Sequence, residues 1–233
     1  MANKDQHSKP RSRRASATHR PRRRPPGRAG AAPAAAAPQS GVSFNPFSEF
    51  PPAPPPEANP QDLEPREVLF GGRPYTVRPL HPDDEGRLIS FFASHTEETI
   101  RQRYGYHISE MTHDRASRLV GVDQSQDVAY GVFERAPDGA EILHAVGRYL
   151  LDPARQTAEM AFVVRETKRH LGICTTLLRL LLRAARHRGM RYLYAQVQAD
   201  NIPMRSIFRR HGGRIKPILG ADAVEVFLPT APP

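Results

Sequence analysis

Cysteine is nearly absent from this 233-residue chain. Cys174 stands alone, so no intramolecular disulfide can form and a cysteine-built zinc site is excluded. A single thiol fits a reducing, cytoplasmic setting. Long apolar runs are missing too. No stretch of about 18 apolar residues occurs, so no transmembrane helix is expected. The basic N-terminus lacks the apolar core of roughly 7–15 residues that a secretory signal requires. The ten histidines are scattered, with no His-Glu-x-x-His or other metal-ligand spacing.

Apolar residues make up only 39% of the chain, and the deficit is uneven. Residues 1–30 carry ten Lys or Arg against one acid, Asp5. Residues 31–65 carry no Lys or Arg and four acids, Glu49, Glu57, Asp62 and Glu64. Of the 24 prolines, 14 lie within 1–65, beside the alanine run at 34–37. Such a segment buries too little apolar surface to offset its chain entropy. We read 1–65 as a disordered basic, Pro/Ala-rich tail and 66–233 as one folded domain. The basic tip suits an electrostatic arm for nucleic acid or another acidic partner, or a plain solubilising tail. Phe44, Phe47 and Phe50 are the large apolar residues in the tail.

From Arg66 the pattern becomes globular. Glu67–Arg78 reads as a strand with Gly71-Gly72 as a turn or bulge inside it. Pro82-Asp-Asp-Glu85 opens a helix, because Pro suits a first turn and acids suit a helix N-terminus. Thr96–Tyr104 and Thr112–Val120 read as two more helical pieces. Val128–Glu134 and Glu141–Leu151 read as strands joined at Pro137-Asp138-Gly139. Ala158–Val164 is another strand, and Gly172–Arg188 a long amphipathic helix ended by Gly189. Arg191–Gln198 is a strand and Pro203–His211 a short helix. Arg214–Leu219 and Ala223–Leu228 form a closing hairpin.

The chemistry concentrates in Ala158–Leu178: a strand, a basic loop and a helix that opens on Gly172. Small residues at Gly172 and Cys174 let helix-start amides approach a ligand. Those amides and the helix dipole form an anion site, to which Lys168, Arg169 and His170 add positive charge. A pyrophosphate is the natural guest. An ordinary strand-to-helix connection with a solvated basic loop has the same spacing. The Rossmann and phosphate-loop glycine motifs are absent.

Arg169-His-Leu-Gly172-Ile-Cys174 resembles the acyl-CoA-binding motif of the GNAT superfamily of N-acetyltransferases, Gln/Arg-x-x-Gly-x-Gly/Ala, with Cys174 in the last small position. Asn201-Ile-Pro-Met through Gly212 resembles its second signature, an Asn before a short helix ended by Gly. The element order is also the GNAT order. Val77–Asp84, Thr99–Tyr104, Ala158–Val164 and Asn201–Met204 are similar to bacterial protein lysine acetyltransferases of the Pat type. The resemblance implies an α+β fold: a central mixed, mostly antiparallel sheet of about seven strands flanked by helices.

For the site, the resemblance implies acetyl-CoA as co-substrate. Main-chain groups of Phe162, Val163 and Val164 would meet its pantetheine arm. The amides around Arg169, His170, Leu171, Gly172, Cys174 and Thr175 would hold its pyrophosphate. Asn201 would bond the arm while also capping a helix. Glu159, in a strand otherwise made of Ala, Met, Phe and Val, is the candidate general base for an amine, expected to be a protein lysine. It could equally be a strand glutamate paired with Arg148 or Arg165. Phe208 occupies the place where many family members carry a proton-donating Tyr, which leaves solvent or another donor to protonate the leaving thiolate. Cys174 reads as a small helix residue rather than a nucleophile. Tyr104, Tyr106 and His107 fall in the segment that shapes the acceptor side. Two other readings remain open: a non-catalytic acyl-CoA sensor with a nucleic-acid-binding tail, and a small-molecule amine acetyltransferase.

Overall fold

The first expected strand is a hairpin. Gly71 and Gly72 take φ of 58° and 78°, the left-handed pair that a two-residue turn between twisted strands requires. They divide the segment into β1 (Arg66–Phe70) and β2 (Arg73–Pro79), with Phe70 opposite Arg73. This division is why the sheet has eight strands rather than seven. The computed structural model describes residues 59–104, 109–152, 155 and 157–231. The basic tip, Phe44, Phe47, Phe50, Tyr106 and His107 lie outside the described residues, as does the side chain of Tyr104.

The remaining strands are β3 (Val128–Arg135), β4 (Glu141–Asp152), β5 (Thr157–Val164), β6 (Tyr192–Gln198), β7 (Arg214–Pro217) and β8 (Ala223–Pro229). Their order is β1-β2-β3-β4-β5-β6-β8-β7. Every neighbouring pair is antiparallel except β5–β6, which is parallel. The expected mixed, mostly antiparallel α+β architecture is therefore present.

The helices are α1 (Pro60–Leu63), α2 (Glu85–Ala93), α3 (Glu97–Tyr104), α4 (His113–Val120), α5 (Ile173–His187) and α6 (Ile202–Arg210). Helix α5 buries Ile173, Leu177, Leu178, Leu181, Ala184 and Ala185 against one sheet face, the spacing of an apolar helical stripe. Each fully buried leucine contributes about 2 kcal/mol. The other face packs Leu88, Phe91 and Phe92 of α2 and Ala116 and Val120 of α4 over Ala129, Phe133, Leu143 and Val146. Helix α2 is anchored at its start by Asp84, which accepts from both Arg78 guanidinium nitrogens at 2.7 and 2.8 Å.

One segment departs from the expected domain boundary at residue 66. Asn59 caps α1 by accepting from Gln61 N. The Asp62 carboxylate, with no exposed side-chain surface, meets Arg183, His187 and Arg188 at 3.2, 3.0 and 3.2 Å. Tyr130 donates its hydroxyl to the Asp62 carbonyl at 2.9 Å. Residues 59–65 thus pack against the domain. Their sequence conceals this because the partners lie about 120 positions downstream and composition reports nothing about them.

Candidate active site

Strands β5 and β6 touch through only two residue pairs, Ala158 with Leu193 and Glu159 with Tyr194. Beyond Glu159 no pairing between them is formed, while β4 stays paired to β5 as far as Val164. The strands therefore diverge toward the C-terminal end of β5. The edge of Phe162–Val164 that faces β6 has backbone groups without a ladder partner, which such groups need in any buried setting.

A groove of about 620 Å³ occupies this divergence. Phe162, Val163 and Val164 form one wall, and Pro203, Met204 and Ile207 of α6 face them. At one end stands the turn into α5. His170 and Gly172 both have positive φ, 63° and 86°, which bends the chain so that successive amides point one way. Gly172 is the N-cap of α5 and supplies no side chain to it. The first amide of the helix to bond back is Thr176 N, to Gly172 O at 3.0 Å. The amides of Ile173, Cys174 and Thr175 form the uncapped start, the place where helices bind anions. Donors arranged in this way can donate to the oxygens of an anionic group such as a phosphate.

Of the residues expected at the cofactor, Phe162, Val163, Val164, Arg169, His170, Gly172, Cys174, Thr175 and Asn201 line the groove. Leu171 does not; its side chain packs on the core cluster beneath α5. Asn201 caps α6, accepting from Met204 N at 3.2 Å, and lines the groove at the same time. All three basic residues of the loop, Lys168, Arg169 and His170, line the groove, and two of them also have protein partners. Lys168 turns to Glu134 at 2.6 Å and to the Tyr75 hydroxyl at 2.8 Å. Arg169 donates to Thr99 Oγ1 at 2.6 Å.

That bond belongs to a network the sequence did not reveal. Glu166 accepts from Thr99 Oγ1 at 2.6 Å, Thr96 N at 3.0 Å and Thr96 Oγ1 at 3.2 Å, and lies 3.3 Å from His95 Nδ1. Burial opposes its ionisation, but the bonds from Thr99, Thr96 and His95 win and hold the carboxyl at about 2. The loop that carries the cofactor motif is thereby tied to the start of α3. Groove residues outside the expected set include Thr99, Gln102 and Arg103 of α3 and Ser206 and Arg210 of α6. They lie within the family-like stretches Thr99–Tyr104 and Asn201–Gly212, but which side chains there face the groove depends on tertiary packing.

Cys174 lies against Met204, Sγ to Sδ at 3.4 Å. Burial pushes its thiol up to about 12, so it stays protonated and is a poor nucleophile. Phe208 is buried and packs on Phe162, ring centroids 6.2 Å apart. It is a core residue that donates nothing to the groove.

Glu159 lies outside the groove lining, four residues before Val163 on the same face of β5, about 13 Å along the strand. The cations that act on it most are Arg103 and Arg155, rather than the Arg148 or Arg165 considered as partners. Its side chain is exposed, yet enclosing protein atoms raise its pKa above the ordinary carboxylate value. Arg103 and Arg155 lower that pKa, whereas Asp152 and Glu225 raise it. Arg155 bridges the two acids, reaching Asp152 at 3.5 Å and pairing with Glu225, and Tyr194 donates to Asp152 at 2.7 Å. Three acids from β4, β5 and β8 thus converge on one sheet face.

Comparison with known proteins agrees with this geometry. The model of the acetyltransferase (GNAT) domain matches residues 75–214. Acetyltransferase PA5475 of Pseudomonas aeruginosa is 27% identical over 141 residues, covering 60% of this chain and 75% of that protein. The GNAT domain of S. lividans PAT superposes with a TM-score of 0.63 at 24% identity, over 71% of this chain and 96% of that one. RimL, a ribosomal L7/L12 alpha-N-protein acetyltransferase solved with coenzyme A, has a TM-score of 0.53 at 14% identity, over 70% and 96% of the two chains. The chain belongs to the GNAT acetyltransferase family, and acetyl-CoA is its acyl donor.

No helix among the described residues is long and apolar enough to cross a membrane. No group of three or more potential metal ligands occurs among them.

Proposed function

We propose that the protein acetylates a primary amine, a protein lysine, by direct attack within a ternary complex, with Glu159 as general base. The raised pKa of Glu159, on the same strand face as Val163, is the observation that carries this reading. In the donor complex the amides at the start of α5, Arg169 and His170 would hold the pyrophosphate. Phe162–Val164 would pair with the pantetheine arm, and Asn201 would bond it from α6.

A lysine ammonium, with a reference pKa of about 10.4, must lose a proton before it can attack. The amine nitrogen then bonds to the thioester carbonyl carbon, the C–S bond breaks, and CoA leaves as a thiolate. The amine's proton passes to the Glu159 carboxylate through water, since the strand spacing keeps the two sites apart. Phe208 has no proton to give, so solvent returns one to the thiolate. The convergence of Asp152, Glu159 and Glu225 favours a cationic acceptor over a neutral one. The basic segment 1–30 would bring the enzyme to an acidic partner such as a nucleoprotein.

The test is transfer from acetyl-CoA to a lysine peptide across pH, for wild type and Glu159→Gln. The base must be ionised, so kcat/KM of the wild type should rise with pH through a value above the usual carboxylate range. Glu159→Gln should lose at least a hundredfold in kcat/KM and lose that rising limb, with acetyl-CoA affinity unchanged. Full activity in Glu159→Gln would refute the base assignment.

A further inference from the structure

Helices α5 and α6 carry three arginines each and no acidic residue. They border a second groove, of about 670 Å³, which adjoins the donor groove at Thr175 and Arg210. From Thr175 it follows α5 past Arg179 and Arg183 to Arg186, and His211 and Thr230 line it from the ends of α6 and β8. Among the described residues no Asp, Glu, Phe, Tyr or Trp lines it. Arg179, Arg186 and Arg210 are exposed and have no acidic partner among the described residues, whereas Arg183 is held by Asp62 at 3.2 Å.

Arg179, Arg183 and Arg186 stand at i, i+4 and i+7, on one face of α5 and over about 10 Å of its length. Like charges at such spacing repel and weaken a helix, and an anion lying against them removes that cost. Arg186 is about 20 Å along the axis from the first residue of α5, far from the amides that open the helix. An anion that meets the whole row must therefore be extended. One strand of a nucleic-acid duplex carries a phosphate every 3.4 Å or so, so about three phosphates span the row. Guanidinium forks bond phosphate oxygens in pairs. Without aromatic rings the groove has no platform for stacking unpaired bases, which favours a duplex over a single strand. Leu182, Pro229 and Ala231 are its apolar residues, too few for the apolar centre of a protein interface. Residues 1–30, with ten Lys or Arg against one acid, are a second basic element suited to the same polyanion.

We propose that this groove binds the phosphate backbone of a nucleic-acid duplex, independently of its sequence, through Arg179, Arg186 and Arg210. The proposal stands apart from the acceptor and the base assigned above.

The experiment is fluorescence anisotropy of a labelled DNA duplex of about 20 base pairs, titrated with the full chain between about 50 and 200 mM salt. For the wild type the logarithm of affinity should fall linearly with the logarithm of salt concentration. Arg179→Gln/Arg186→Gln removes two phosphate contacts, each worth about 0.9 of slope, so the slope should become shallower by about 2. Affinity at the lowest salt should drop at least tenfold. Acetyl-CoA affinity should stay unchanged, since neither residue lines the donor groove. Either single variant, with a slope change of about 1, serves if the double variant does not fold. An unchanged slope in the double variant would mean that residues 1–30 alone hold the duplex, and would overturn the proposal. Acetyl-CoA affinity falling together with duplex affinity, at a wild-type Tm, would make the groove an extension of the donor site and overturn it as well. So would displacement of the duplex by polyglutamate at equal charge concentration, which would assign the groove to an acidic protein. Failure of the wild type to bind the duplex at the lowest salt would refute it outright.

Discussion

Removing the Asp62 carboxylate should destabilise the domain by about 3 kcal/mol. Asp62 and Arg188 both have 0% exposed side-chain surface and lie 3.2 Å apart. Breaking a buried ion pair from one side typically costs about 3–5 kcal/mol, because an uncompensated charge stays buried. Two features place the expected loss at the lower end. Arg188 keeps its hydrogen bonds to the carbonyls of Ser125, Gln124 and Ala184. The other two partners, Arg183 and His187, are 28% and 27% exposed and can turn to water. For a domain of this size about 3 kcal/mol corresponds to a fall in Tm of roughly 6–12 °C. Thermal unfolding of Asp62→Ala followed by circular dichroism measures it directly. A chain beginning at residue 66 should show the same loss, and one beginning at residue 59 should not. Adding Arg188→Met to Asp62→Ala should recover much of the stability, since the stranded charge is then gone. A Tm shift under 2 °C in Asp62→Ala, or simple additivity in the double variant, would refute the reasoning.

Other outcomes follow from the same geometry. Gly172→Ala forces a Cβ into φ of 86° where no atom lies within 4 Å, so its cost is backbone strain alone, about 1–2 kcal/mol. Acetyl-CoA affinity should fall with it at least tenfold by titration, as the turn relaxes and the α5 amides swing away. Glu166, drawn down from 4.5 to about 2 in the fold, contributes stability that is complete above its ordinary pKa and lost as pH falls from about 4.5 to 2. Glu166→Gln should flatten that part of the pH–stability curve in acid unfolding. It should also weaken acetyl-CoA binding at neutral pH, because Thr99 and the loop bearing Arg169 lose their common anchor.

Much of the fold could be read from local pattern. The helix period of α5, the cap at Asn201, the hairpin signals and the order of elements all reside in stretches shorter than twenty residues. The groove was legible for the same reason: Phe162–Val164 and most of Arg169–Cys174 line it from elements adjacent in sequence. The departures share a different cause. The division of β1 from β2 turned on whether Gly71-Gly72 bulges or reverses the chain, and cross-strand packing decides that. Lys168 lines the groove as expected of a residue near the anion site, but its bonds to Glu134 and Tyr75 come from strands that no local pattern links to it. Leu171 was expected to offer its amide, and its side chain packs on the core cluster, a placement that local pattern does not record.

Sequence by itself determined that a strand, a basic loop and a helix opening on Gly172 would follow one another at 158–188, because backbone preference and hydrophobic period act over neighbouring residues. It also determined that Glu159 would share a strand face with Val163, since side chains alternate along a strand. Tertiary structure alone decided that β5 and β6 meet at two pairs and then part. It alone joined Glu166 to Thr96 and Thr99, gathered Asp152, Glu159 and Glu225, and seated Asp62 among Arg183, His187 and Arg188. Ion pairs, cavities and strand divergence depend on which distant residues packing brings within a few ångströms, and the order of residues along a chain carries no record of that distance.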